Sequence, residues 1–146
     1  MSPCLYADSS FLVSLLMNDA GSSRALQCMS EKSTPLVFTP LHRIEVRNAV
    51  RNAAARGAIT PADQNLAFRQ LDEDLKDGLL IHHPLPWTEV FRTADELSEN
   101  HSRRDGQRTI DLLHVAAAKV LGVDVFLSLD LRQCGLAKAA GLKVHP

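Results

Sequence analysis

The stretch TIDLLHVAAAKVLGVDVFLSLDLRQCGLAKAAGLKV, residues 109–144, decides the fold. Its first part reads as a helix from Thr109 to Leu121, almost wholly apolar after Asp111 and ended by Gly122. Val125 to Leu129 is near-continuously apolar, as a strand buried on both faces of a sheet would be. A helix from Leu131 to Ala140 follows, closed by Gly141, and Leu142 to Val144 reads as a further strand. Strands joined through helices pair in parallel by right-handed crossovers.

The same alternation extends back to the start of the chain. Leu5 to Asp8 reads as a short buried strand, with a helix starting at Ser9 to Met17 and resuming from Ser22 to Ser30. Leu36 to Thr39 is a second strand, after which Pro40 opens a helix as its first residue and Gly57 ends it. Thr60-Pro61 starts the next helix, which carries Leu66, Leu71 and Leu75 to a stop at Gly78. Leu79 to His83 is a third strand, and beyond Pro84 and Pro86 a helix is expected from Thr88 to Asn100, with a polar turn over Ser102 to Gly106. The expected architecture is α/β, a three-layer α/β/α sandwich around a central parallel sheet, forming one domain over residues 1–146.

Composition narrows the function classes. The 146 residues are 45% apolar, enough to fill one core without covalent staples. Cys4, Cys28 and Cys134 are odd in number and contain no CxxC pair, which argues against a disulfide framework and a thiolate zinc site. With no basic leader and no membrane-length apolar run, the expectation is a cytoplasmic protein that does not enter a membrane. Sixteen basic against seventeen acidic side chains leave a formal charge of −1, so any nucleic-acid contact must use a local patch.

In open parallel sheets, sites form beyond the carboxyl ends of strands, at a switch in strand order. Asp8 ends the first strand and Asp130 follows the fourth, each directly before a helix. Capping of the helix that follows accounts for either of them taken singly. Glu45 sits within the second-strand helix, flanked at i−4 and i+4 by Leu41 and Ala49, where an unpaired carboxylate is costly unless it meets a cation or solvent. Asp111 lies in the first turn of its apolar helix, where the helix N-terminus alone would favour it. Four carboxylates converging on one rim repel unless a cation neutralises them. Hard oxygen donors without cysteine or paired histidine select Mg²⁺ or Mn²⁺, and such ions promote phosphodiester cleavage by lowering the pKa of bound water.

With YADSS at 6–10, Glu45 in HRIEVRNAV, TIDLLHVAAAKVLG at 109–122 and FLSLDLRQCGLAKAAGLKV at 126–144, the chain resembles the PIN-domain ribonucleases, in particular the VapC-type toxins of type II toxin-antitoxin pairs. The resemblance implies a Mg²⁺- or Mn²⁺-dependent endonuclease acting on RNA, a homodimer, and a small antitoxin partner that also binds operator DNA. It implies that Asp8, Glu45, Asp111 and Asp130 are the catalytic and metal-binding quartet, and that Ser9 is a supporting hydroxyl. Ser128-Leu129-Asp130 stands where Thr-Phe-Asp is more usual, so Ser128 keeps the hydroxyl and Leu129 replaces an aromatic ring.

Lesser signals have plainer readings. Arg43, Arg47 and Arg51 form a helical stripe, with Arg43 and Arg47 each roughly 160° from Glu45, so a solvated or partner-facing surface is expected rather than a funnel into the site. Arg103, Arg104 and Arg108 precede the Asp111 helix and read first as an ordinary polar loop, though they could hold substrate phosphates near the rim. His114, a turn after Asp111 on the same side, reads as a hydrogen-bonded structural histidine that could touch a water or that acid. His82 and His83 point to opposite faces and form no metal pair. Leu12, Leu15, Leu16, Trp87, Phe91 and Leu97 read first as core, with a dimer or antitoxin surface as the alternative for some of them.

Competing functions fare less well. A haloacid-dehalogenase-type phosphohydrolase expects an acid two residues after the strand-end Asp, where Ser10 stands. A phosphorylated receiver lacks its acceptor Asp in HHPL, and no glycine-rich loop follows the first strand to bind a dinucleotide. A PIN-like module that binds RNA or protein without turnover would be marked by a lost acid, and none is lost.

Overall fold

β1 (Leu5–Ala7), β2 (Leu36–Phe38), β3 (Leu80–His82), β4 (Val125–Leu127) and β5 (Lys143–His145) pair side by side in the order β3-β2-β1-β4-β5. Every pairing is parallel, as the helical crossovers require. The computed structural model describes residues 5–146, with the backbone alone for residues 103–105. The helices are α1 (Ser9–Leu16), α2 (Ser22–Ser30), α3 (Pro40–Ala55), α4 (Pro61–Lys76), α5 (Trp87–Asp105), α6 (Thr109–Leu121) and α7 (Leu131–Ala139).

Alternation along the strands builds the two faces. Leu5, Ala7, Leu36, Phe38 and Leu127 pack against Phe11, Leu12, Ala25, Val46 and Leu71, on the side of α1 to α4. Tyr6, Val37 and Phe126 face Val90, Ala94, Leu112, Val115 and Leu136, on the side of α5 to α7. The result is the expected three-layer sandwich. From β1 the chain runs outward to β2 and β3, then crosses back to place β4 on the other flank of β1. Strand order therefore switches between β1 and β4, and the crevice beyond their carboxyl ends is where such sheets bind ligands.

Two expectations need correction. First, α5 continues through the segment expected to be a polar turn, because no glycine or proline interrupts it before Gly106, which leaves the helix at φ 61°. Arg103 and Arg104 thus belong to a helix, with side chains outside the described residues, as is the whole of Cys4. Second, Trp87 and Phe91 are not core. They are 38% and 55% exposed, with ring centroids 5.8 Å apart, while the helix buries Val90, Ala94 and Leu97. The i, i+4 aromatic pair lies one helical step away from the inward stripe. The arginine stripe is at the surface as expected, with Arg43 and Arg51 exposed, and Arg47 and Arg51 also lie over the Phe68 ring of α4 at 4.4 and 5.2 Å from its centroid.

Of the other apolar residues read as core, Leu12 and Leu97 are buried, and Leu15 and Leu16 pack half-buried against the α1-to-α4 layer. Cys28 and Cys134 are free thiols. Among the described residues no helix is long and apolar enough to cross a membrane.

Candidate active site

Asp8 stands one residue beyond β1, and its backbone N–H donates to the Leu127 carbonyl at the end of β4 (3.0 Å). Its side chain does two things at once. Oδ1 caps α1 by accepting from the Phe11 N–H at 2.8 Å, and Oδ2 accepts from the Ser128 hydroxyl. The same hydroxyl accepts the Asp130 N–H at 3.1 Å, so Ser128 joins the two strand-end acids. Asp130 in turn caps α7, Oδ1 accepting from Arg132 (2.8 Å) and Gln133 (3.3 Å). Capping is thus real for both acids, and it orients them instead of consuming them. Asp8 is buried, whereas Asp130 is exposed.

Glu45 comes from the second turn of α3, whose start is fixed unusually. Thr39 caps the helix, and the N3 position is His42 where a Glu is common. His42 accepts the Thr39 N–H at Nδ1 (3.0 Å) and donates from Nε2 to the Ala7 carbonyl (2.7 Å). That second bond ties α3 to the residue before Asp8. Full burial, with the neighbouring His114 charge adding to it, pushes the His42 imidazole well below its ordinary value, so it stays neutral and serves as both donor and acceptor. Glu45 Oε1 then receives the Ser9 hydroxyl (2.7 Å) and the His114 Nε2. His114 is therefore the hydrogen-bonded histidine expected, but the acid it meets is Glu45 and not Asp111, the acid one turn before it.

Asp111, in the first turn of α6, is gripped by the Arg108 guanidinium, Nε to Oδ2 at 3.0 Å and Nη2 to Oδ1 at 3.4 Å. Its backbone carbonyl accepts from the buried Gln133 side chain at 3.1 Å, which couples the starts of α6 and α7. All seven residues singled out from the sequence thus stand at the carboxyl rim: Asp8, Ser128 and Asp130 joined in one chain, Ser9 with Glu45, and Arg108 with Asp111. His42, Tyr6 and Gln133, which hold them, were not foreseen. His82 and His83 form no pair; His83 turns back to the Ile81 carbonyl and His82 meets the Phe38 ring.

The carboxylates differ in electrostatic setting. Burial pushes the Asp8 carboxyl above its usual range, and the Asp111 charge adds to it, against the downward pull of Ser128, Phe11 and His114. For Glu45 burial also acts upward, but the bond and charge of His114, the Ser9 hydroxyl and the Arg108 charge together hold it below. Beside them lies an open groove of about 590 Å³ whose polar lining includes Ser9, Ser10, Glu45 and Asp130.

Residues 5–140 match the PIN domain family. The chain belongs to that family. No curated protein matches it. Among solved structures, this PIN domain is similar to VapC20 of Mycobacterium tuberculosis, described as a sarcin-ricin loop cleaving toxin, at TM-score 0.68 and 16% identity over 94% of this chain and 95% of that one. It is similar to VapBC2 of Rickettsia felis bound to a promoter DNA fragment, at TM-score 0.68 and 10% identity over 97% of each chain. FitAcB of Neisseria gonorrhoeae matches at TM-score 0.62 and 15% identity, covering 97% of this chain and 96% of that one.

The donor chemistry of this PIN domain can be tested against a divalent cation. Among the described residues, no three acidic, histidine or cysteine side chains converge closely enough to enclose an ion unaided. Mg²⁺ does not need such a cage, since it commonly binds through one or two carboxylates and keeps water in its remaining positions. Asp8, raised by burial with the Asp111 charge adding to it, is a carboxylate that a cation would relieve, and the pairing of Asp111 with Arg108 shows that this acid takes a positive partner. The all-oxygen set fits a hard ion.

Proposed function

We propose that residues 1–146 act as one VapC-type toxin, a Mg²⁺- or Mn²⁺-dependent endoribonuclease whose ion is held by Asp8, Glu45, Asp111 and Asp130. The observation that carries the reading is the bridge across the switch in strand order. The neighbouring strands β1 and β4 each deliver an acid, and the Ser128 hydroxyl bonds to both residues. A bound divalent ion supplies the charge that makes water a nucleophile near neutral pH and offsets the negative phosphate.

The chain's own residues set the rest. Caps and the Ser128 bridge fix the Asp8 and Asp130 carboxylates, which lowers the cost of ordering them during reaction. Arg108, 67% exposed, can leave Asp111 and take a phosphate oxygen with the same planar fork. The groove beside Glu45 and Asp130 is open, as cutting a chain away from its ends requires. With a formal charge of −1 overall, RNA is drawn by such local cations and not by the whole molecule.

Purified protein is expected to cleave RNA with Mg²⁺ or Mn²⁺ and to stop when the ion is chelated. Asp111→Asn, which keeps the shape but lowers the charge, is expected to lose at least about 10²-fold in rate, the scale seen when one preorganised electrostatic group is removed. Undiminished cleavage in chelator, or by Asp111→Asn, would overturn the assignment.

The antitoxin's seat is an apolar groove. A groove of about 1000 Å³ runs between α1 and α2 on one side and α4 on the other, walled by Leu15, Leu16, Leu26, Met29, Leu66 and Leu79. Leu26, Leu66 and Leu79 are each more than half exposed, at 56%, 57% and 60%. A contiguous apolar surface of this kind suits an apolar segment of a small antitoxin, as the likeness to VapBC2 suggests. Leu66→Asp is expected to abolish neutralisation by the product of a short reading frame adjoining the gene while leaving RNA cleavage intact. Retained neutralisation would move the seat elsewhere. For the proposed homodimer, the exposed Trp87 and Phe91 offer an apolar face, and sedimentation of the wild type against Phe91→Asp tests it.

A further inference from the structure

We infer that His114 is the positioning residue for Glu45, with Tyr6 as the anchor behind it. The inference rests on the nuclease reading for its consequence, and on geometry for its substance. The Tyr6 hydroxyl meets His114 Nδ1 at 2.6 Å, and the opposite ring nitrogen, Nε2, meets Glu45 Oε1 and lies 3.1 Å from Ser9 Oγ. All three side chains come from different elements: Tyr6 from β1, His114 from α6, Glu45 from α3. Tyr6 and His114 are 0% and 2% exposed, and the imidazole also lies 4.9 Å from the His42 ring.

The order of donors follows from the chemistry. The Tyr6 hydroxyl, a donor as well as an acceptor and 2.6 Å from Nδ1, gives its hydrogen to that nitrogen. A neutral imidazole whose Nδ1 accepts must carry hydrogen on Nε2. Were the ring charged, Nε2 would still donate. In either state an N–H faces Oε1, which also receives the Ser9 hydroxyl, while Oε2 has no hydrogen bond among the described residues. One oxygen is clamped and the other is presented. Outer partners of this kind orient a metal-ligating carboxylate, and their loss typically costs about 10- to 100-fold in metal affinity or activity.

The spacing DLLH at 111–114 thus carries two tasks: Asp111 faces the rim with Arg108, and His114, a turn later, reaches inward to steady an acid from another helix.

The test uses the full chain with Mn²⁺ as probe. His114→Ala is expected to weaken Mn²⁺ binding, measured by calorimetry without RNA, by about 10- to 100-fold, and to raise the Mn²⁺ needed for half-maximal cleavage by a similar factor. His114→Gln, which can still present an N–H to Oε1, should recover most of the loss, and Tyr6→Phe should fall between. Long-range ¹H–¹⁵N spectra of the metal-free wild type should place a proton on Nε2 of His114. A bare Nε2 overturns the inference, as does unchanged Mn²⁺ binding in folded Tyr6→Phe, the variant that serves should His114→Ala not fold. Equal Mn²⁺ binding by wild type and His114→Ala, with wild-type cleavage present, sinks the inference alone. A wild type that neither binds Mn²⁺ nor cleaves sinks the nuclease reading and this inference together.

Discussion

Asp8→Asn is expected to abolish metal-dependent RNA cleavage, by at least about 10²-fold, while the protein remains folded and becomes more heat-stable. The two effects separate because the residue has two employments. An asparagine oxygen caps α1 as well as aspartate does, so the Phe11 N–H keeps its acceptor. The Ser128 hydroxyl can reverse and accept from the new amide. What disappears is the buried negative charge.

The sign of the stability change follows from the raised pKa. A carboxyl that holds its proton to higher pH when folded than when unfolded loses stability as pH rises from about the ordinary 3.8 through the folded value. At neutral pH without metal, wild type bears that full cost and Asp8→Asn does not. Thermal unfolding in chelator from pH 4 to 8 should show the variant's advantage growing with pH and then levelling. A lower melting temperature at neutral pH, or wild-type cleavage rates, would remove Asp8 from the role assigned.

The second large effect is structural. His42→Ala is expected to destabilise the chain by about 3–5 kcal/mol, since it leaves a cavity and strips partners from two buried backbone groups, the Ala7 carbonyl and the Thr39 N–H. Its pH signature is opposite to that of Asp8. An imidazole held neutral by folding stabilises fully above the unfolded value near 6.5, and that contribution is lost as pH falls below it. Urea unfolding at pH 7.5 and 5.5 measures both terms: wild type should lose more stability between them than His42→Ala does. A cost below about 1 kcal/mol at pH 7.5 would show the imidazole to be a replaceable filler.

These residues also show what a sequence discloses and what it withholds. Asp8 and Asp130 were legible because strand-to-helix junctions are marked locally, by an apolar run giving way to a polar cap. Glu45 stood out for its apolar neighbours at helical spacing. His42 was hidden because its decisive partner is a backbone carbonyl 35 residues upstream, which no side-chain pattern advertises. Tyr6 and His114 meet across 108 residues, and nothing in either neighbourhood foretells the other. Trp87 and Phe91 misled for a different reason. Aromatic rings at i and i+4 look like a core stripe, yet the packing phase of α5 was set by smaller residues, Val90 and Ala94.

The Ser128 bridge has a bearing on when the site comes into being. Its hydroxyl reaches Asp8 across 120 residues, and β1 acquires β4 as a neighbour only after six of the seven helices have been made. A chain emerging from the ribosome carries Asp8 and Glu45 long before it carries β4, and Asp111 one helix before it. Long-range closure of this sort comes late, because its entropy must be met before its contacts repay it. The same arrangement makes the rim a record of completion: a chain that stops short of Ser128 contains three of the acids and no site.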